Sequence, residues 1–194
     1  MNRVIQAGLA DHRRCIDALD AGADLLEQIA EAIWRAFRAG NRLYLAGNGG
    51  SAADAQHVAA ELVGRLRTER RPLPAVALTT DTSTVSALAN DYGYDRVFAR
   101  QIEAHVRAGD VVWLFSTSGS SLNILAAAGA ARKLGATVVG FSGRDGGRLR
   151  PLCDYCLLVP DDRSDRIQEA HQLAYHLVCQ LIEQAIAREP GASA

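Results

Sequence analysis

Three side chains in this sequence have the types and spacing needed to move protons. His57 and Glu61 are four residues apart in a helical segment, so both lie on one face of that helix. His176 lies in an apolar segment near the end of the chain. Burial can bring the pKa of a carboxylate or an imidazole close to neutrality, and such a group can carry a proton between adjacent carbons of a substrate. The ordinary alternatives are a surface pair for His57 and Glu61, and a buried structural histidine for His176.

Two further polar pairs also have two interpretations. Asp165 and Gln168 have the spacing of a capping box at the start of the last helix. Asn90 and Asp91 follow the helix after the second strand, where they could bind sugar hydroxyls or simply form a turn.

A glycine-rich loop at Gly47–Ser51 (Gly-Asn-Gly-Gly-Ser) opens directly into the helix that carries His57. Glycines let the backbone approach a ligand closely, and a helix N-terminus offers free N–H groups to an anion. The loop also matches the loose dinucleotide-binding fingerprint, which requires an acidic residue about 20 positions further on. The first acid after the second strand, Asp81, comes too late. We therefore interpret the loop as a phosphate site.

A hydroxyl-rich loop at Ser116–Ser121 (Ser-Thr-Ser-Gly-Ser-Ser) lies between an apolar strand and a helix. Ser121 alone could be the N-cap of that helix, but one cap does not account for five hydroxyls. Such a turn can hold a phosphate through hydroxyls and backbone N–H groups. The loop lacks the Gly-Lys-Ser/Thr of a nucleotide P-loop, which favours a sugar phosphate over a triphosphate.

The elements that must position these loops follow from the apolar pattern. Two helices are predicted first, at residues 3–18 and 22–39. Strands follow at residues 42–46, 75–78, 110–115, 136–141 and 155–159, and helices at 51–67, 82–89, 95–107, 121–134 and 164–187. Continuous apolar strands that alternate with helices predict an α/β fold with a parallel sheet covered on both faces. Ligands bind beyond the carboxyl ends of such strands, where both loops lie.

Length and composition favour one ordinary globular domain. The chain has 194 residues, 48% of them hydrophobic and 22% charged, with a formal net charge of -1. That charge does not indicate a nucleic-acid partner. Four arginines cluster without interleaved aromatic residues, which favours a solvated helix end or loop: Arg65, Arg67, Arg70 and Arg71. No apolar run approaches the ~20 residues that span a bilayer, so no membrane partner is expected.

The four cysteines are Cys15, Cys153, Cys156 and Cys179, and the middle two form a C-x-x-C. A structural zinc site would need a second pair, and on a strand this odd spacing would place the two thiols on opposite faces. We interpret them as packing cysteines in a reduced, cytoplasmic compartment.

Taken together and in order, these motifs resemble the sedoheptulose 7-phosphate (phosphoheptose) isomerase family of the sugar isomerase (SIS) superfamily. The resemblance covers nearly the whole chain; one departure is Ser120, where the family commonly has asparagine. It implies a single SIS domain over residues 1–194, a three-layer sandwich with a five-stranded parallel sheet flanked by helices. Residues 1–40 would be helices used in oligomer packing, and residues 41–188 the α/β core.

The resemblance also implies a homotetramer with interfacial sites, in which Glu61 and His176 carry the protons. It implies one zinc ion per subunit, held by His57, Glu61, Gln168 and His176. The implied sugar phosphate contacts are Asn48, Gly49, Gly50, Ser51, Glu61, Asn90, Asp91, Ser116, Thr117, Ser118, Ser121, Asp165 and Gln168. The reaction would convert D-sedoheptulose 7-phosphate to D-glycero-D-manno-heptose 7-phosphate through an enediol, for nucleotide-heptose and surface-glycan precursors.

The implied zinc ligands must meet a geometric requirement. Gln168 and His176 are eight residues apart, which is ~12 Å along a continuous helix, whereas zinc–ligand bonds are about 2 Å. Either Gln168 lies in an irregular first turn, or the two ligands come from different subunits, and we favour the second.

Two alternatives remain within the superfamily. One is another phosphosugar isomerase. The other is a non-catalytic SIS protein that binds the bacterial replication initiator, which the sequence at residues 51–57 also resembles. That relative lacks the equivalents of Glu61 and His176, and this chain has both.

Overall fold

The computed structural model describes residues 2–188 and confirms the predicted α/β class. Five parallel strands form one sheet in the order β2-β1-β3-β4-β5. Their bounds are β1 Leu43–Gly47, β2 Ala75–Ala77, β3 Val111–Ser116, β4 Thr137–Gly143 and β5 Tyr155–Val159. The α-helices of this part of the chain are α1 Asn2–Asp20, α2 Ala23–Arg38, α3 Gly50–Val63, α4 Thr82–Tyr92, α5 Val97–His105, α6 Leu122–Lys133 and α7 Ser164–Ala187. Short 3₁₀ turns lie at Tyr94–Arg96 and Arg150–Leu152.

The central strands are apolar throughout because helices cover both faces of the sheet. Every residue of β1 and β3 is buried. Alternate side chains of β3 point to opposite layers. Trp113 and Phe115 join one core with residues of α2, α3 and α7, whereas Val112 and Leu114 join the other with α5 and α6.

The strand order places the two ligand loops side by side. β1 pairs with β3, and the chain leaves β1 through α3 on one face and β3 through α6 on the other. The sheet therefore has its topological switch point between β1 and β3, where a crevice opens beyond the carboxyl ends of the strands.

One arginine of the predicted solvated cluster is buried, so the prediction is wrong for Arg70. It is 6% exposed, and its guanidinium lies 3.6 Å from the Glu183 carboxylate on α7. Arg70 donates to the carbonyl oxygens of Glu61, Leu62, Gly64 and Arg71. Glu183 accepts from the backbone N–H groups of Leu66, Arg67 and Thr68. Because this pair holds the segment after Gly64 in an irregular path, α3 ends at Val63 and not near residue 67.

The C-x-x-C thiols do not lie on opposite faces of a strand, because only Cys156 belongs to β5. Cys153 lies just before β5, after the turn at Arg150–Leu152, so strand alternation does not apply to it. Both sulphurs lie beside Gly140 of β4, at which a Cβ would be 2.5 Å from Cys153 Sγ and 3.4 Å from Cys156 Sγ. All four cysteines are free thiols.

Across residues 2–188, no helix combines the length and the apolarity that crossing a bilayer would require.

Candidate functional site

His57, Glu61 and His176 meet where α3 packs on α7. His57 Nε2 lies 3.1 Å from Glu61 Oε1 and 3.4 Å from His176 Nε2. His176 is partly exposed and belongs to this trio, so it is not the buried structural histidine of the alternative interpretation. That description fits His171, which is 0% exposed with its Nε2 3.3 Å from the Ser142 carbonyl oxygen.

The trio has the composition of a metal centre. One donor atom from each of its three residues lies within 4.8 Å of the others. Two imidazoles and a carboxylate are ligands that zinc accepts, and ligand atoms of a tetrahedral site lie about 3.3 Å apart. The observed separations of 3.1 Å and 3.4 Å match that spacing.

Tyr175 contacts the trio through the ring of His57. Its hydroxyl lies 3.0 Å from His57 Nδ1, while Nε2 of the same ring faces Glu61. A partner on Nδ1 fixes the orientation of the ring, as second-shell groups do at metal sites. Burial raises the pKa of the Tyr175 phenol, so the hydroxyl keeps its proton. Sequence reasoning missed Tyr175 because tyrosine is an ordinary core residue in an apolar helix.

The electrostatics of the trio favour a neutral imidazole at His176. Burial, and then the neighbouring His57, lower its pKa below the usual value. A neutral imidazole has a free nitrogen lone pair, which can accept a proton or bind a metal ion.

A carboxyl group that the sequence did not single out lies one turn before His57. Asp54 Oδ2 is buried without a hydrogen-bond partner in the described part of the chain. Burial raises the pKa of Asp54 to about 6, and the nearby His57 opposes that rise.

A separate cavity of about 310 Å³ opens at the switch point between β1 and β3. Both ligand loops and the start of α7 contribute to its lining: Asn48, Gly49, Gly50, Ser51, Phe115, Ser116, Thr117, Ser121, Ser164 and Gln168. The two loops predicted as phosphate sites therefore form one site.

Two glycines of the first loop are required by close contacts. A Cβ at Gly47 would lie 2.3 Å from the backbone oxygen of Ser51, inside the first turn of α3. A Cβ at Gly50 would lie 2.6 Å from the Gln168 amide nitrogen. The missing side chains let the loop turn tightly into α3 and let Gln168 approach its backbone.

Paired amides join the two loops. Asn48 Nδ2 donates to Asn123 Oδ1 at 2.9 Å, and Asn123 Nδ2 donates back to Asn48 Oδ1 at 2.8 Å. Asn123 is buried in the first turn of α6. Sequence reasoning did not single it out, because an asparagine early in a helix is common. This exchange fixes the register of the glycine-rich loop against the hydroxyl-rich loop.

The hydroxyls of the second loop bond mainly within the loop and to the start of α7. Ser121 is the N-cap residue of α6, yet its side chain makes no capping bond. It accepts a long bond of 3.4 Å from Ser116, and Thr117 Oγ1 lies 3.1 Å from Ser164 Oγ. Ser118 is exposed, and its hydroxyl accepts from the Ser120 backbone N–H at 3.2 Å.

Three other predicted site residues, Asp165, Asn90 and Asp91, do not line this cavity. Asp165 is exposed and bonds to Arg166, and the N-cap of α7 is Arg163, so the capping-box interpretation is wrong. Asn90 and Asp91 are exposed near the end of α4 and bond to each other.

A larger cavity of about 730 Å³ opens beside α2 at the amino ends of β3, β4 and β5. It includes neither the two ligand loops nor the trio, so we do not regard it as the active site.

Comparisons with known proteins identify relatives by sequence and by fold. The SIS domain family model matches residues 9–143. A phosphoheptose isomerase from Roseiflexus is 51% identical over 95% of this chain and 92% of its own length. One from Aliarcobacter butzleri is 48% identical over 93% of this chain and 95% of its own. The structure of phosphoheptose isomerase from Neisseria gonorrhoeae superimposes with a TM-score of 0.89 at 40% identity, covering 94% of this chain and 98% of that one.

Fold and site thus define an α/β protein with a hydroxyl-lined cradle at the switch point of its sheet and a His–Glu–His trio where α3 packs on α7. The chain belongs to the SIS domain family and, within it, to the phosphoheptose isomerases. It is an isomerase.

Proposed function

We propose that this isomerase converts D-sedoheptulose 7-phosphate to D-glycero-D-manno-heptose 7-phosphate, a precursor for nucleotide-heptoses and surface glycans. The observation that carries the proposal is the meeting of Glu61 with His57 and His176 in a chain that also has a neutral, hydroxyl-lined phosphate cradle. The curated relatives named phosphoheptose isomerase align with this chain over nearly their whole length.

In the proposed mechanism the cradle binds the phosphate through hydroxyl and backbone N–H groups at the start of α3 and α6. Glu61 and His176 then share two proton transfers: one removes the C1 proton of the ketose to give an enediol, and the other returns a proton at C2. A neutral His176 imidazole has a free lone pair, so it can take up a proton, and the imidazolium that forms can return one.

We further propose zinc as the metal, with His57, Glu61 and His176 as three of its ligands. A bound zinc ion would supply Lewis-acid polarisation of the oxygens at C1 and C2. Tyr175 would hold the His57 ring in place through Nδ1.

Gln168 would be the fourth ligand, contributed by a second subunit. It lies in the regular part of α7 with its amide against Gly50. In this chain it is therefore ~12 Å along the helix from His176. Leu173 and Leu177, on either side of His176 in α7, are 38% and 39% exposed. Exposed leucines beside a functional residue favour a surface that another copy covers, which supports the homotetramer with interfacial sites.

The first test is an assay of purified protein with sedoheptulose 7-phosphate, with and without zinc. Glu61→Gln keeps the size of the side chain and removes the charge, so we expect phosphosugar binding without turnover. The matched control is Glu69→Gln, an exposed glutamate eight residues further on, which should keep full activity. Turnover by Glu61→Gln at the native rate would remove Glu61 from the mechanism.

Subunit mixing tests the shared zinc site. Gln168→Ala and His176→Ala should each be inactive. If the two side chains serve one site from different subunits, random reassembly of the two variants restores about a quarter of the sites. If both came from the same chain, every mixed site would carry a defect and no activity would return.

A further inference from the structure

The Cys153–Cys156 pair lies at the amino end of β5, whereas the phosphate cradle lies beyond the carboxyl ends of β1 and β3. Gly140 creates the space for both sulphurs, since its Cβ would lie 2.5 Å from one and 3.4 Å from the other. The sulphurs are therefore at most about 5.9 Å apart, the sum of those two distances. Both cysteines keep some solvent exposure, whereas Cys15 and Cys179 are buried at 1%.

The two thiols differ in chemical character. The neighbouring Cys153 thiol, and then the Arg150 guanidinium, lower the pKa of Cys156. The neighbouring Cys156, together with burial, raises the pKa of Cys153. A thiolate-prone, accessible cysteine beside a protonated neighbour is the arrangement in which one sulphur is oxidised and the other resolves it.

We infer that Cys153 and Cys156 form a redox site, at which a hydroperoxide converts the two thiols to a disulfide that loosens the phosphate cradle. Nothing in the proposed isomerisation uses these residues.

The oxidation balances in two steps. The Cys156 thiolate attacks the peroxide, takes up one oxygen as a sulfenic acid, and releases water or an alcohol after protonation. The Cys153 sulphur then attacks Cys156 Sγ, the S–O bond breaks, and a second water leaves with the Cys153 proton. Two electrons pass from the sulphurs to the peroxide, and a dithiol reductant reverses the change.

Two hydrogen bonds connect this pair to the cradle. Cys153 Sγ donates to the Leu149 carbonyl oxygen at 3.3 Å, and the Leu149 N–H donates to the Gly119 carbonyl oxygen at 2.9 Å. Gly119 lies within the hydroxyl-rich loop. A disulfide has no S–H to donate, so Leu149 loses one partner and its hold on the loop weakens.

The experiment treats the purified protein with hydrogen peroxide and maps disulfides by mass spectrometry of proteolytic fragments. We expect a Cys153–Cys156 cross-link, with Cys15 and Cys179 still alkylated as free thiols. Cys153→Ser and Cys156→Ser should each abolish the cross-link. In the oxidised native protein, KM for the sugar phosphate should rise about fivefold, the effect of losing one hydrogen bond, and dithiothreitol should restore it.

The assignment is overturned if peroxide leaves all four thiols free, or if Cys156 gains oxygen atoms without forming the cross-link. A cross-linked protein with an unchanged KM would refute the connection to the cradle. Cys153→Ser serves as the control for KM, because peroxide should leave its KM unaltered.

Discussion

The buried carboxyl of Asp54 makes the stability of this protein depend on pH in a direction opposite to that of most acidic residues. Its Oδ2 lies out of contact with water and with any donor in residues 2–188. Burial raises its pKa from 3.8 to about 6 in the folded chain. Between those two values the folded chain holds a proton that the unfolded chain releases, so stability falls as pH rises through this range.

The size of the effect follows from the same two values. The full difference corresponds to about 3 kcal/mol above pH 6. Although Oδ2 is buried, Asp54 as a whole is only partly buried, which reduces the expected penalty to about 1–2 kcal/mol. Asp54→Asn has nearly the same shape and no charge. We expect it to be more stable than the native chain by that amount at pH 7.5, and to lose this advantage below pH 4.

Urea unfolding at a series of pH values measures the difference, with a chelator present so that no metal ion occupies the trio. The control is Asp17→Asn on the exposed side of α1, which should change the free energy of unfolding by less than about 0.5 kcal/mol. The reasoning fails if Asp54→Asn is no more stable than the native chain at pH 7.5, or if its advantage is the same at pH 4.

Three other substitutions test separate features. Glu183→Gln leaves the Arg70 guanidinium buried without its counter-charge, so we expect a loss of about 3 kcal/mol in urea unfolding; an unchanged midpoint would contradict this. Gly47→Ala drives a methyl group into the Ser51 backbone, and we expect phosphosugar binding, measured by calorimetry, to disappear; native affinity would show that the loop can move. Burial lowers the pKa of His171 to about 4, so native stability should fall as pH drops from 6.5, and His171→Gln should flatten this fall; parallel pH curves would refute it.

The sequence was sufficient where a local pattern determined the structure. α7 begins and ends at Ser164 and Ala187 as predicted, because its apolar residues recur at helical spacing over the whole segment. The two ligand loops were recognisable because several glycines or hydroxyls at the end of a strand have few structural uses.

Prediction failed where a residue depends on a partner far away in the chain. Arg70 has the composition of a solvated residue, and only Glu183 of α7 makes its burial possible. Cys153 departs from strand alternation because the turn at Arg150–Leu152 places it just before β5. Tyr175 and Asn123 acquire their roles only through contacts that the fold creates, with His57 and with Asn48.

Helix α7 sets the spacing between three residues that serve different parts of the protein. Gln168 near its start faces the cradle, His176 in its middle meets the trio, and Glu183 near its end braces the segment after α3. One residue inserted between them would turn everything downstream by about 100° and shift it by about 1.5 Å. A single insertion would therefore move the trio residue and the brace together. The loops of this protein can therefore vary in length, whereas the part of α7 between Gln168 and Glu183 can vary only by substitution.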